Sequence, residues 1–95
     1  MSHFPVRKLI APNTRINDKG ATGIHFALRI RSSLEIIDLS DNEISDDYGQ
    51  KFYRSLLGSN VKEFKLEGNY ISDKTLSKIK RLLEIKNKGP KAVAQ

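Results

Sequence analysis

The stretch from Leu34 to Asp47, LEIIDLSDNEISDD, decides the fold, because a close copy of it, VKEFKLEGNYISDK, runs from Val61 to Lys74. The two stretches align without gaps at an offset of 27 residues. Both read apolar-x-x-apolar-x-Leu-x-x-Asn-x-Ile-Ser-Asp. A repeat with a period of roughly 20 to 50 residues is typical of arrays in which each unit buries its apolar face against its neighbours.

A weaker third copy lies upstream, 28 residues before Leu34. In this copy Thr14 stands where the other two have Asn42 and Asn69, and Pro12 falls in the predicted strand. We therefore expect it to be the least regular unit and to act as an N-terminal cap, since the end units of repeat arrays are usually atypical. Its matching residues are Val6, Leu9, Ala11, Ile16, Asn17 and Asp18.

The segments between the copies have the spacing of helices. Apolar or small residues recur near i, i+3 and i+7, which predicts one buried face on each helix. Asn17, Ser45 and Ser72 stand just before these segments and can cap the helix N-termini. The unit therefore reads strand, turn, helix and return turn, three times. The predicted buried helix residues are Ala21, Ile24, Leu28, Gly49, Phe52, Leu56, Leu76, Ile79 and Leu83.

This pattern resembles the leucine-rich repeat (LRR), specifically the ribonuclease-inhibitor-like class, whose units of about 28 residues pair a short strand with a full helix. The resemblance covers roughly residues 6–87. It implies a short α/β solenoid with three strand–helix repeats, at about 6–33, 34–60 and 61–87, and a parallel sheet on the concave side. It also implies a non-enzymatic scaffold for protein–protein recognition. Asn42 and Asn69 are expected to form a structural ladder that hydrogen-bonds unpaired backbone groups of their own and neighbouring coils.

The end of the chain has a different composition from the repeat. Gly89 and Pro90 are expected to stop the last helix, because both residues disfavour helix interiors. We therefore predict a single domain over residues 1–87 and a flexible tail over residues 88–95. An alternative is that the segment from Ala92 to Ala94 folds back over the open end of the last repeat.

The composition excludes several classes of protein. The chain has no cysteine, which excludes disulfides, thiolate zinc sites and cysteine nucleophiles. No apolar run is long enough for a signal peptide or for the roughly 20 residues of a membrane span. We therefore expect an intracellular, cytoplasmic protein. Arg7, Lys8 and Arg15 precede the first acid, Asp18, which leaves a mitochondrial targeting segment open.

We find no constellation of residues suited to catalysis. His3 and His25 are the only histidines, and His25 has no second ligand one helical turn away. A solvated or half-buried helix histidine is the expected role for His25, rather than a metal ligand. The glycine-rich loops that hold phosphates are also missing. The sequence therefore predicts no enzyme, no metal and no cofactor.

Alternation along each strand sends the apolar residues inward and the intervening ones outward. Stacking the copies in register gives an apolar spot rimmed by mixed charge, which is typical of a protein interface. We predict that a protein partner binds this concave face. The alternative is that neighbouring strands simply balance their own charges. The predicted partner-binding residues are Lys8, Ile10, Ile36, Asp38, Ser40, Glu63, Lys65 and Glu67, with Pro12 beside Ser40.

Basic residues concentrate elsewhere. The formal net charge is +6, but residues 34–60 hold six acids against two basic residues. On the last helix, Lys74, Lys78 and Arg81 follow i, i+4, i+7 and form a basic docking stripe. This stripe supports an alternative function, a structural subunit of a ribonucleoprotein or other large assembly docked through that helix. Nucleic acid ranks below protein as partner because the stripe lacks aromatic residues, and a homo-oligomer through the exposed repeat ends stays open.

Overall fold

A computed structural model describes residues 6–30 and 33–93 of the 95-residue chain, with side chains up to Lys88. His3 and Ala94 lie outside the described residues. Strands and helices alternate along the chain in the order predicted from the copies. The elements are β1 (Lys8–Ile10), α1 (Asp18–Arg29), β2 (Ile36–Asp38), α2 (Asp46–Leu56), β3 (Glu63–Lys65) and α3 (Asp73–Val93).

The three strands form one parallel sheet in the order β1-β2-β3. Lys8 pairs with Ile36, which pairs in turn with Glu63 on β3. The predicted register is therefore confirmed, because these are the residues that the 28- and 27-residue offsets align. The chain is a small α/β domain of three helices and a three-stranded parallel sheet.

The core lies between the helices and one face of the sheet. The middle residue of each strand, Leu9, Ile37 or Phe64, belongs to the same apolar cluster as the buried helix residues. Phe52 of α2 is fully buried, and its ring centroid lies 5.0 Å from that of Phe64. The helix residues predicted to point inward are all buried or half-buried, with Ile24 and Leu76 the two that are only half-buried.

Besides Arg15 in the first turn, one residue in the turn that follows each strand lies in the left-handed backbone region. The residues are Asn13 at φ 53°, Asp41 at φ 56° and Gly68 at φ 82°, and they occupy the same position in the three copies. Asn, Asp and Gly are the residue types that adopt this conformation most readily. At Gly68 a Cβ would lie 2.1 Å from Oδ1 and 3.0 Å from the backbone nitrogen of Asp41, so a side chain there would force Asp41 to move in addition to the strain of the positive φ.

Asn42 is buried and joins the first copy to the second. Its Oδ1 accepts hydrogen bonds from the backbone N–H groups of Thr14 and Ile16, both at 2.9 Å. These contacts provide partners for backbone groups that the turns leave outside the sheet. Its Nδ2 donates to the carbonyl oxygens of Ala11, Leu39 and Ser40 at 3.0, 3.0 and 3.1 Å.

Asn69 makes the corresponding contacts between the second and third copies. Its Oδ1 accepts from the N–H of Ile44, and its Nδ2 donates to the carbonyls of Leu39 and Leu66, each at 2.9 Å. In the first copy, the Thr14 hydroxyl donates to the carbonyl three residues before it at 2.9 Å. Thr14 therefore replaces one of the hydrogen bonds that an asparagine makes at this position.

Aspartates at the helix N-termini provide a second link between copies, which the sequence analysis missed. Oδ1 of Asp18 accepts from the backbone N–H of Ser45 at 2.8 Å, and Oδ1 of Asp46 accepts from the N–H of Ser72 at 2.9 Å. The hydrogen bond from the Ser72 backbone N–H is the main reason that the pKa of Asp46 lies well below its usual range. Each aspartate therefore attaches its helix N-terminus to the next copy.

The predicted end of the last helix was wrong. α3 continues through Gly89 and Pro90 to Val93, so it includes most of the segment predicted as a tail. A proline removes one backbone N–H and the hydrogen bond to the residue four positions earlier, which bends a helix without necessarily ending it.

Candidate interaction surfaces

The residues predicted for partner binding lie together on the sheet face away from the helices, which we call the open sheet face. It consists of Lys8, Ile10, Ile36, Asp38, Ser40, Glu63, Lys65 and Glu67. The residues on the outer strands are exposed and those on or just after β2 are half-buried. Ser40 and Glu67 follow the ends of β2 and β3, where the N–H of Asp41 still donates to the carbonyl of Glu67 at 2.8 Å.

Two isoleucines provide the apolar part of the open sheet face. Ile10 is 57% exposed, and Ile36 is half-buried on the adjacent strand. Ile10 pairs in register with Asp38, and Ile36 pairs with Lys8. The apolar side chains are therefore diagonal neighbours with charged residues beside them.

Asp38 is held in its charged form by local hydrogen bonds. Its Oδ1 accepts from the Ser40 hydroxyl at 2.7 Å and from the Ser40 backbone N–H at 3.0 Å. The Ser40 hydroxyl, followed by the Ser40 backbone and Lys65, lowers the pKa of Asp38. The open sheet face therefore presents a fixed carboxylate between two strands.

The ion pairs of the described residues avoid the open sheet face. Glu35 pairs with Arg7 at 3.8 Å and with Lys62 at 3.5 Å. These three residues do not belong to the open sheet face. Within residues 6–30 and 33–93, Asp38 and Lys65 are not within salt-bridge distance of each other or of another charged group. Lys65 nevertheless pairs in register with Asp38 and helps to lower its pKa. Whether a ligand or the neighbouring strand balances these charges stays a prediction.

The basic docking stripe lies on the exposed side of α3. Lys74, Lys78 and Arg81 are all exposed. Nζ of Lys78 lies 4.6 Å from the centroid of the Tyr53 ring on α2, an interaction that favours the cation and limits its motion. In the described part of the chain, none of the three pairs with a carboxylate.

Lys86, which lies near the stripe in sequence, has a structural contact instead. Its Nζ donates to the carbonyl of Ser59 at 2.7 Å and to the carbonyl of Leu56. Burial lowers the pKa of Lys86. Because it binds carbonyls at the C-terminal end of α2, this lysine does not add to the basic surface available to a ligand.

A second basic cluster was missed by the sequence analysis. Lys51 and Arg54 on α2 are exposed and occupy the same positions in the second copy as Lys78 and Arg81 in the third. This second cluster could have been found from the 27-residue offset of the repeat, because positions 51 and 54 align with positions 78 and 81. The basic surface therefore extends from α3 onto α2.

Between α1 and α2 this surface contains a groove. We call it the α1–α2 groove, an open cavity of about 470 Å³ lined by His25, Arg29, Lys51, Arg54 and Ser55. Nδ1 of His25 and the Ser55 hydroxyl oxygen are 2.7 Å apart. The expectation that His25 is a half-buried helix residue is confirmed. Its ring is hydrogen-bonded to Ser55 on the neighbouring helix.

The pKa of His25 is expected to lie below the ordinary value of 6.5, because burial, Arg29 and Lys51 all disfavour its charged form. In the unfolded chain the histidine regains its ordinary pKa, so between the two values the unfolded state binds more protons. The free energy of unfolding should therefore fall as the pH drops from about 7.5 to 5.5. NMR titration of the ring and urea unfolding across that interval measure both effects.

The matched control for this prediction is His25→Gln, which removes the titrating group and keeps a polar side chain. The variant should lose part of the pH dependence of stability between pH 7.5 and 5.5. A titration midpoint of His25 above 6.5 in the folded chain would contradict the prediction that burial and the nearby cations disfavour its charged form.

Comparison with protein-family models, curated proteins and solved structures found no match to this chain. Among the residues that the structure describes, no helix is both long and apolar enough to cross a membrane. The same residues contain no group of three or more His, Cys, Asp or Glu side chains that could hold a metal ion.

Proposed function

We propose that this protein is a short leucine-rich-repeat-like solenoid that acts as a non-enzymatic interaction module or scaffold, binding a protein partner through the open sheet face. The observation that carries the proposal is the exposed Ile10 beside Ile36, surrounded by charges without ion-pair partners in the described residues. Apolar centres with polar rims are typical of protein interfaces. The strands fix the positions of these side chains before binding, which reduces the entropic cost of association.

Repeated local geometry supports the solenoid part of the proposal. The same left-handed turn occurs in all three copies, and Asn42 and Asn69 make the same type of cross-copy bond. In the first copy Thr14 replaces the asparagine, and Arg15 also has a positive φ of 59°. These departures are consistent with a first unit that serves as the N-terminal cap.

Two substitutions on the open sheet face test the proposal. Ile36→Arg places a charge at its apolar centre, and Asp38→Lys reverses its fixed carboxylate. Each should reduce capture of a protein partner from source extract by at least about tenfold, since one central contact is commonly worth more than 1.4 kcal/mol. Leu57→Arg is the matched control, because Leu57 is 60% exposed and lies just after α2, away from the open sheet face.

Circular dichroism and urea unfolding establish that each variant is folded before capture is compared. Capture that Ile36→Arg and Asp38→Lys both leave intact would refute the proposal. A loss that Leu57→Arg shares equally would also count against it, because the effect would not depend on the open sheet face.

A second candidate function is a structural subunit of a ribonucleoprotein or other large assembly, docked through the basic docking stripe. It is favoured by two adjacent basic columns, Lys51–Lys78 and Arg54–Arg81, across α2 and α3. Changing Lys74, Lys78 and Arg81 together to Glu should abolish association with a nucleic acid, and wild-type binding should weaken steeply with salt. An affinity that does not change with salt concentration would exclude this candidate.

A further inference from the structure

The α1–α2 groove combines several cations with very little opposing charge. Arg29, Lys51 and Arg54 line it, and its lining contains no carboxylate. Within the described ranges 6–30 and 33–93, none of the three cations forms an ion pair. Three formal positive charges therefore converge on one cavity without compensation inside the protein.

The groove has fixed walls. The His25 ring lies edge-on to the rings of Tyr48 and Phe52, with centroids 6.3 Å apart in both cases. Phe52 is fully buried, so this wall belongs to the core. Nζ of Lys51 is 4.4 Å from the centroid of the Tyr48 ring, which restrains the lysine as well.

His25 has one ring nitrogen left for a ligand. Nδ1 contacts the Ser55 hydroxyl, whose own oxygen also lies 3.0 Å from the carbonyl of Lys51. Nε2 has no hydrogen-bond partner among the residues that the structure describes. The histidine is therefore held in place by α2 through Nδ1, and Nε2 can donate to an anion when the ring is protonated.

We propose that the α1–α2 groove is a binding site for the phosphate group of a phosphorylated small molecule. Arginine forks match the oxygens of a phosphate, and lysine adds a single donor. A dianionic phosphate balances most of the three positive charges, whereas a carboxylate balances one.

The open groove leaves room for a substituent beside the phosphate group. A volume of about 470 Å³ falls in the range of roughly 300 to 1,000 Å³ found for small-molecule sites, and it exceeds what inorganic phosphate fills. The pKa of His25 is lowered by burial and, to a smaller extent, by Arg29 and Lys51, so these two cations act on the interior of the groove. The proposal does not depend on the open sheet face, so Ile36→Arg should leave the affinity of the α1–α2 groove for phosphate unchanged.

The test is an NMR titration of the full chain at pH 7 with three probes: inorganic phosphate, phosphoserine and adenosine monophosphate. Sodium chloride at matched ionic strength is the control. We expect saturable shifts for His25, Lys51 and Arg54 with all three probes. Tighter binding of phosphoserine or of adenosine monophosphate than of inorganic phosphate supports the proposal and identifies the substituent. Shifts that sodium chloride reproduces, or that do not saturate, overturn it.

A matched pair of arginine variants locates the site. Arg54→Gln should weaken phosphate binding by about tenfold, the loss of one charge-assisted contact. Arg81→Gln changes the aligned arginine of α3, outside the groove, and should leave the affinity within about twofold, a difference of roughly 0.4 kcal/mol. Both side chains are exposed, so both variants should keep the wild-type amide spectrum. Equal weakening by the two variants overturns the proposal, because the affinity for phosphate would then depend on the total charge of the protein and not on the groove.

Discussion

Replacing Asn42 with alanine is expected to lower the free energy of unfolding by about 3 to 5 kcal/mol. Each buried polar group that loses its partner costs about 1 to 3 kcal/mol, and several lose theirs together. Asn42 is only 5% exposed. The substitution removes the acceptor of two backbone N–H groups, of Thr14 and Ile16, and the donor to three carbonyls. Urea unfolding followed by circular dichroism measures the change.

The loss is large relative to the stability of so short a chain. At roughly 0.05 to 0.15 kcal/mol per residue, a chain of 95 residues has about 5 to 14 kcal/mol in total. Asn69→Ala is the matched control. Asn69 is half-buried, accepts from one backbone N–H instead of two and donates to two carbonyls instead of three. Its loss should therefore cost less, about 1 to 2 kcal/mol. Equal costs at the two positions would contradict the role given to Asn42.

Phe52→Ala is expected to destabilise the fold by about 3 to 5 kcal/mol, as is usual when a buried aromatic is removed from a core. Phe52 is fully buried, and its ring contacts those of His25, Tyr48 and Phe64. Removing it leaves a cavity between α2 and the sheet. Chemical denaturation measures this loss, and the melting temperature should fall with it.

Phe26→Ala provides the control for this prediction within the same chain. Phe26 lies on α1 and is 62% exposed, so its replacement should change the free energy of unfolding by less than about 0.5 kcal/mol. If Phe26→Ala cost as much as Phe52→Ala, the core would not lie where the structure has it.

The alternation of elements and the strand register could be predicted because both follow from the repeat. A unit that recurs at a fixed offset determines which residues pair, and Lys8, Ile36 and Glu63 pair as the offsets require. The end of α3 could not be predicted in the same way. It depends on whether the helical turns on either side of Pro90 offset the roughly 3 kcal/mol that a proline costs inside a helix, and the repeat pattern does not contain that balance.

The candidate surfaces were only partly predictable. The open sheet face follows from the period-two alternation of the strands. The α1–α2 groove depends on two helices from different copies lying side by side, so that Arg29 and Arg54 line one cavity. The residue pattern of a single helix does not show which helix packs beside it. The role of Lys86 was hidden for the same reason, because its partner carbonyls belong to the end of α2.

The most direct test of the central proposal is site-specific photo-crosslinking in source extract, with and without nuclease. A benzophenone side chain is placed at Ile10 on the open sheet face or at Leu57 away from it, two positions of similar exposure at 57% and 60%. We predict one discrete protein adduct from position 10, unaffected by nuclease, and none from position 57. Adducts that form equally at both positions, or that disappear with nuclease, would contradict binding of a protein partner through the open sheet face.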